Sequence, residues 1–134
     1  MATPKRAREL MSHGKVMALA TSSRGGDPNV VPMQQCWWYD DDTMLVGDFF
    51  MKATKANIQE NDRVSFTVWQ DAPREGYKFN GQAEYVTSGP EYDSANNEMK
   101  KKMPEKNFKG VVVIRVESVY DITSGPTAGQ RITE

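Results

Sequence analysis

Residues 52–69 read KATKANIQENDRVSFTVW, and their rhythm changes midway. From Lys52 to Glu60 nothing alternates, and Ala53, Ala56 and Asn57 with Ile58 suit one short helix. Asn61-Asp62 ends it. Arg63-Val64-Ser65-Phe66-Thr67-Val68-Trp69 then alternates polar and apolar, the pattern of a half-buried strand. The same grammar extends outward on both sides, as strands broken by short polar turns with only brief helical interruptions.

Upstream, Thr3-Pro4 reads as an N-cap followed by proline at the first helical position, opening a helix from Lys5 to Ser12 that stops at Gly14. Its apolar positions Ala7, Leu10 and Met11 share one face. Lys15 to Ser22 is a buried strand, Arg24-Gly25-Gly26-Asp27-Pro28 a hairpin turn, and Asn29 to Tyr39 a second strand. Asp40-Asp41-Asp42 turns the chain into a third strand, Thr43 to Phe49.

Downstream, Asp71 to Glu75 is a loop, and Gly76 to Thr87 is a strand with Tyr77, Phe79, Gly81, Ala83 and Tyr85 on one face. Ser88-Gly89-Pro90-Glu91 has the spacing of a capping box for a helix to Met103, with Tyr92, Ala95, Met99 and Met103 as its apolar stripe. A long last strand covers Lys109 to Thr123, and residues 125–129 close the chain irregularly. Six strands with short helices predict a mainly β, antiparallel barrel carrying helices at its ends.

Composition agrees and sets bounds. The 134 residues predict one domain, 1–134. Val outnumbers Leu 12 to 3, which suits pleated sheet and disfavours a helical bundle. Lys and Arg total 17 against 18 Asp and Glu, so no net field would draw nucleic acid or an anionic membrane, and neither partner is expected. Lone Cys36 and lone His13 exclude an internal disulfide and a Cys/His zinc site within one chain; no metal is expected. No run approaches the ~18 apolar residues of a membrane span, and no apolar segment follows the basic N-terminus as a secretory signal requires. The expected compartment is the cytoplasm.

Two stretches carry candidate chemistry. Around residues 51–58, Lys52, Thr54 and Lys55 stand at or within the first turn of a helix that follows a strand. Unpaired N–H groups and the helix dipole favour an anion there, and two ammonium groups with a hydroxyl suit a phosphate monoester. The alternative is an ordinary exposed helix with lysines in solvent. Along residues 30–39, Pro32 marks an edge or bulge, Met33 could pack on a ring face, and the Gln34 and Gln35 amides could read an imide edge. Here the alternative is an aromatic core with one surface aromatic, since Trp37 and Tyr39 point to one side and Trp38 to the other. Neither a G-x-G-x-x-G fingerprint nor a P-loop occurs. Lys100, Lys101, Lys102, Lys106 and Lys109 form a basic patch without a stacking face and read as a solvated helix end.

The order of these motifs resembles the pyridoxamine 5′-phosphate oxidase-like split-barrel flavoproteins, specifically their short FMN-binding members. The resemblance spans about residues 15–129 and rests on ALATSS, DPNVVPM, DDDTMLVGD, MKATKANIQENDRVSF, GYKFNGQAEYVTSGPEYD and VESVYDITSGPTAG in that order. It implies a six-stranded split barrel, usually a homodimer with flavin between the subunits. By position, Pro32, Met33, Gln34 and Gln35 would lie along the isoalloxazine. Lys52, the Ala53 backbone N–H, Thr54 and Lys55 would cradle the phosphate, with Asn57 fixing the loop. The other subunit would supply Trp69, Tyr77 and Gly125-Pro126.

The implied function is an FMN-dependent oxidoreductase acting on a small molecule. The alternatives are a non-catalytic flavin carrier, store or sensor, or a relative using deazaflavin or haem. The larger oxidases of the family bind their vitamin substrate through an Arg and a His in a C-terminal extension. This chain ends soon after its last strand and holds its only His at position 13, so that oxidase activity is not expected. Phe49 and Phe50 stand where some small FMN binders have glycines.

Overall fold

The alternation at 63–69 is realised as β5 (Arg63–Asp71), with Val64, Phe66 and Val68 buried and the residues between them more exposed. The computed structural model describes residues 3–11 and 15–132. In chain order the elements are α1 (Lys5–Leu10), β1 (Met17–Ser22), β2 (Pro28–Met33), β3 (Cys36–Asp40), β4 (Thr43–Asp48), α2 (Ala53–Glu60) and β5. Then follow β6 (Arg74–Val86), α3 (Pro90–Lys100), β7 (Gly110–Asp121) and β8 (Arg131–Ile132). All pairs are antiparallel, and the path runs β2-β1-β5-β6-β7-β4-β3, with β8 added beside β7.

The fold is the expected split barrel, with eight strands among the described residues instead of six. One added strand comes from the stretch expected as a single strand over 29–39. β2 pairs with β1 as far as Met33↔Met17, and the chain then turns a corner at Gln34-Gln35. Beyond it β3 pairs with β4, starting at Cys36↔Val46. The corner is tight, the Cys36 N–H donating back to the Gln34 carbonyl at 3.0 Å. The core-facing positions step from Val31 and Met33 to Cys36 and Trp38, a shift of phase that the polar pair Gln34-Gln35 hides in the sequence. β2 and β3 are thus chain neighbours at opposite ends of the sheet path. The other added strand, β8, falls within the irregular tail.

Side chains on the inner face, among them Met17, Leu19, Met44, Phe66, Phe79, Val112 and Ile114, form the main core, to which α1 contributes Ala7, Leu10 and Met11. Phe66 and Phe79 stack at 4.5 Å, and Trp38 packs edge-on against Phe79 at 5.7 Å. The Trp38 indole N–H is directed at the Arg8 and Met11 carbonyls, at 3.2 and 3.0 Å, which fastens the end of α1 to the barrel. On the outer face α3 lays Ala95 and Met99 over Trp37, Leu45, Val111 and Val113, with Tyr92 and Met103 partly buried beside them, the expected stripe. Trp37 and Trp38 do point to opposite sides, and Tyr39 is exposed.

Several local expectations are corrected. Thr3 does not cap α1; its N–H and hydroxyl both donate to Asp42 Oδ1, at 2.6 and 3.1 Å, and Pro4 holds the cap position. α1 ends at Leu10, and the expected stop at Gly14, like His13, lies outside the described residues. The Ser88–Glu91 box does not form. Gly89, at φ 102°, is the cap of α3 with Pro90 next, a conformation that favours glycine over serine. Residues 71–75 form a tight hairpin turn, since pairing continues to Asp71↔Arg74. α2 buries Thr54, Asn57 and Ile58, while Ala53 and Ala56 face outward.

Candidate functional site

At the β2–β3 corner the sheet leaves a cleft of about 510 Å³, within the size range of small-molecule sites. One wall is the end of β2 and the corner itself, Val31 to Gln35. The opposite wall is Gly47 with Phe49, Phe50 and Met51, and one end is the start of α2, Lys52 to Thr54. Gly47 has a steric reason to be glycine. A Cβ there would lie 2.1 Å from the Phe108 ring, which packs from the α3 side. Its N–H donates to the Gln35 carbonyl at 2.9 Å and so ties the two walls together.

The α2 end is built to meet an anion. The N–H groups of its first turn have no partner within the helix, and no side chain caps it. Thr54 is only 2% exposed; its hydroxyl accepts from Asn29 Nδ2 at 3.1 Å and keeps its own proton to donate. Asn57 Nδ2 donates to Thr21 Oγ1 at 3.0 Å, and Asn29 Nδ2 approaches the same oxygen at 3.4 Å. This Thr21–Asn29–Thr54–Asn57 network binds β1, β2 and α2 into one unit. Also on the cleft lining, Gln35 Oε1 is buried without a hydrogen-bond partner, a costly arrangement that a ligand donor would relieve.

Of the residues singled out from sequence, Pro32, Met33, Gln34, Gln35, Lys52, Ala53 and Thr54 come together on this cleft. Asn57 lies just behind it in the network. The ammonium of Lys55 stands over the Tyr85 ring, 4.7 Å from its centre, instead of on the cleft wall. Trp69 and Tyr77 lie on β5 and β6 and do not line the cleft. The Tyr77 hydroxyl donates to Glu75, which also receives two guanidinium bonds from Arg6. Burial, then the bond to Glu75, pushes the Tyr77 phenol up to about 12. Gly125 and Pro126 are exposed in the turn before β8.

Two contributors escaped sequence reading. From sequence Asn29 is only the first residue of the expected second strand. Asp48 carried a usable signal, as the one charged residue of TMLVGD, a strand buried at all six positions. Among the described residues no group of His, Cys, Asp or Glu is placed to hold a metal ion, and no helix is long and apolar enough to cross a membrane.

A split β-barrel with a cleft of about 510 Å³ beside a helix N-terminus defines the class. The chain belongs to the pyridoxamine 5′-phosphate oxidase family, whose model matches residues 3–123. A curated relative, the uncharacterized protein MJ0282 of Methanocaldococcus jannaschii, is 35% identical over 124 residues, covering 90% of this chain and 81% of that one. Among solved structures, HupZ of Group A Streptococcus superposes with a TM-score of 0.82 at 27% identity, covering 94% of this chain and 98% of its own. An FMN-binding protein from Syntrophomonas wolfei shares the fold at TM-score 0.72 and 17% identity, over 90% of this chain and 91% of that one. So do an F420 reductase (22% identity, TM-score 0.67) and HutZ, the haem storage protein of Vibrio cholerae (18%, 0.68).

Proposed function

We propose that the chain binds FMN in this cleft and acts as an oxidoreductase on a small molecule. One coincidence of position carries the reading. The anion-seeking start of α2, with Lys52 and Thr54, shares a single cleft with the buried, unpartnered Gln35 Oε1 beside the apolar Val31, Pro32 and Met33. A phosphate and a planar imide-bearing ring call for those two kinds of contact.

Lys52, the Ala53 N–H and the Thr54 hydroxyl would hold the phosphate, each by a charge-assisted bond. Gln35 Oε1 would accept from the imide N–H, the Gln34 amide would tune the ring, and Met33 would pack along its face. When bound, a flavin supplies hydride and electron exchange at its ring. Among the described residues lining the cleft, Lys52 has the only ionisable side chain. Those lining residues therefore offer orientation, and no carboxylate or imidazole to act as general acid or base. That favours a donor such as a nicotinamide, which exchanges hydride without help from a protein proton.

The same lack of acid or base supports a second reading, a flavin carrier, store or sensor serving a redox partner. Haem has few potential iron ligands here: among the described residues lining the cleft they are Met33 and Met51, with no histidine or cysteine. We also propose a homodimer in which a second copy covers the cleft and brings its Trp69, Tyr77 and Gly125-Pro126 toward the flavin. Supporting this, Val30 is 66% exposed on β2, Phe50 86% exposed at the cleft mouth and Trp69 52% exposed on β5. The buried, lone Cys36 is in keeping with a cytoplasmic setting.

The deciding experiment is titration of the purified protein with FMN and with riboflavin, followed by flavin fluorescence. The reading expects FMN to bind, and more tightly than riboflavin. A colourless protein with no affinity for either would end it. Steady oxidation of a reduced nicotinamide by the FMN-loaded protein separates the enzyme from the carrier, and sedimentation tests the dimer.

A further inference from the structure

Asp48 ends β4 buried to 1% exposure, four residues before Lys52, the anion contact of the FMN reading on which this inference rests. We infer that Asp48 and Tyr85 are a positioning pair: they lock the turn that presents α2 to the cleft, and they hold Lys55 away from it, leaving Lys52 and Thr54 as the side-chain anion contacts.

Asp48 uses both carboxylate oxygens. Oδ1 accepts the Met51 N–H at 2.7 Å, closing the turn over Phe49 and Phe50, and Oδ2 accepts the Tyr85 hydroxyl. Its backbone carbonyl accepts the Lys109 N–H at 2.9 Å. α2 has no side-chain cap of its own, so its start is fixed from upstream, through Met51. Tyr85 reaches Asp48 only because Gly110 lies beneath it; a Cβ at Gly110 would fall 2.3 Å from the phenol ring. The Lys55 ammonium lies over the face of the same ring, 4.7 Å from its centre, in a cation–π contact. Lys55 is therefore engaged on the far side of Tyr85, which explains why it does not line the cleft.

Three variants test this. In flavin-free protein, Tyr85→Phe keeps the ring on Gly110 but releases Asp48 Oδ2, and Asp48→Asn keeps an acceptor for Met51 but removes the charge. Hydrogen exchange at the amides of Met51, bonded to Asp48, and Ala56, bonded to the Lys52 carbonyl, should accelerate by about tenfold in both, with β5 amides unchanged. Equal rates in the variants and wild type would overturn the lock, whatever flavin does. In titrations, Tyr85→Phe should weaken FMN about tenfold and leave riboflavin, which lacks the phosphate, within about twofold. Equal weakening of both would make the pair merely structural. Lys55→Met should stay within about twofold of wild type for FMN, because an uninvolved cation contributes little. A tenfold loss would place Lys55 on the phosphate and overturn its withdrawal. Failure of the FMN reading shows separately, as absent flavin binding by the wild type, and leaves the exchange result standing.

Discussion

Lys52 and Thr54 differ in what surrounds them, and that difference shapes what their removal should do. Lys52 is exposed, whereas Thr54 is buried and receives a bond from Asn29. Replacing both with alanine is expected to weaken FMN by about 2–4 kcal/mol through lost charge-assisted bonds. The fold should survive, because Asn29 keeps its contact with Thr21, and circular dichroism beside the titration checks both statements. Cys36 gives an independent check on the core. Only 1% exposed, its thiol is pushed up to about 12 by burial and stays protonated at neutral pH. A chromogenic thiol reagent at mild alkaline pH should leave the native protein unlabelled and titrate one thiol after denaturation. Rapid native labelling would mean that the β2–β3 corner opens readily.

Elements bring two further expectations. Alanine at Gly47 must displace the Phe108 ring, a typical overpacking cost of about 1–3 kcal/mol that urea unfolding would register. Gly81 should tolerate alanine less, because the obstructing atom, 2.2 Å away, is the Arg115 backbone oxygen at the β6–β7 bulge. The joint between α1 and β6 is acid-sensitive. Hydrogen bonds from Arg6 and then Tyr77 hold the Glu75 carboxyl below its usual range. A carboxyl lowered in the folded state stabilises fully above its unfolded value, about 4.3, and that stabilisation is lost as pH falls through the lowered native value. Thermal unfolding of Arg6→Ala should therefore fall below wild type at neutral pH and converge with it in acid. Parallel curves throughout would remove Glu75 as the cause.

Much of this was legible beforehand. Strands β1, β4, β5, β6 and β7 followed from alternation or Val-rich runs, and the α2 turn from Lys52, Thr54 and their place after a strand. What escaped depends on distant partners. Thr3 turned to Asp42, Gly89 displaced Ser88 as a cap, and β2 and β3 parted at Gln34-Gln35, where the inward positions change phase from Met33 to Cys36. Lys55 is the instructive case for the site. Its spacing suits a phosphate, but only the fold reveals that Tyr85 and Asp48 lie beneath it.

For the whole molecule, a ligand that binds only the folded state raises stability by mass action, about 2.7 kcal/mol at a hundredfold excess over Kd. Saturating FMN should raise the midpoint of thermal unfolding accordingly, with riboflavin raising it less; identical shifts would argue against phosphate recognition. The location of the cleft makes this gain more than local. Gln34 and Gln35 join the first and last staves of the sheet, which share no ladder with each other. A guest seated there would act as a rivet across the seam of the cask, so detachment of either outer stave would first require its departure. Empty protein should fray from that seam inward, and the loaded form should come apart, if at all, as a whole.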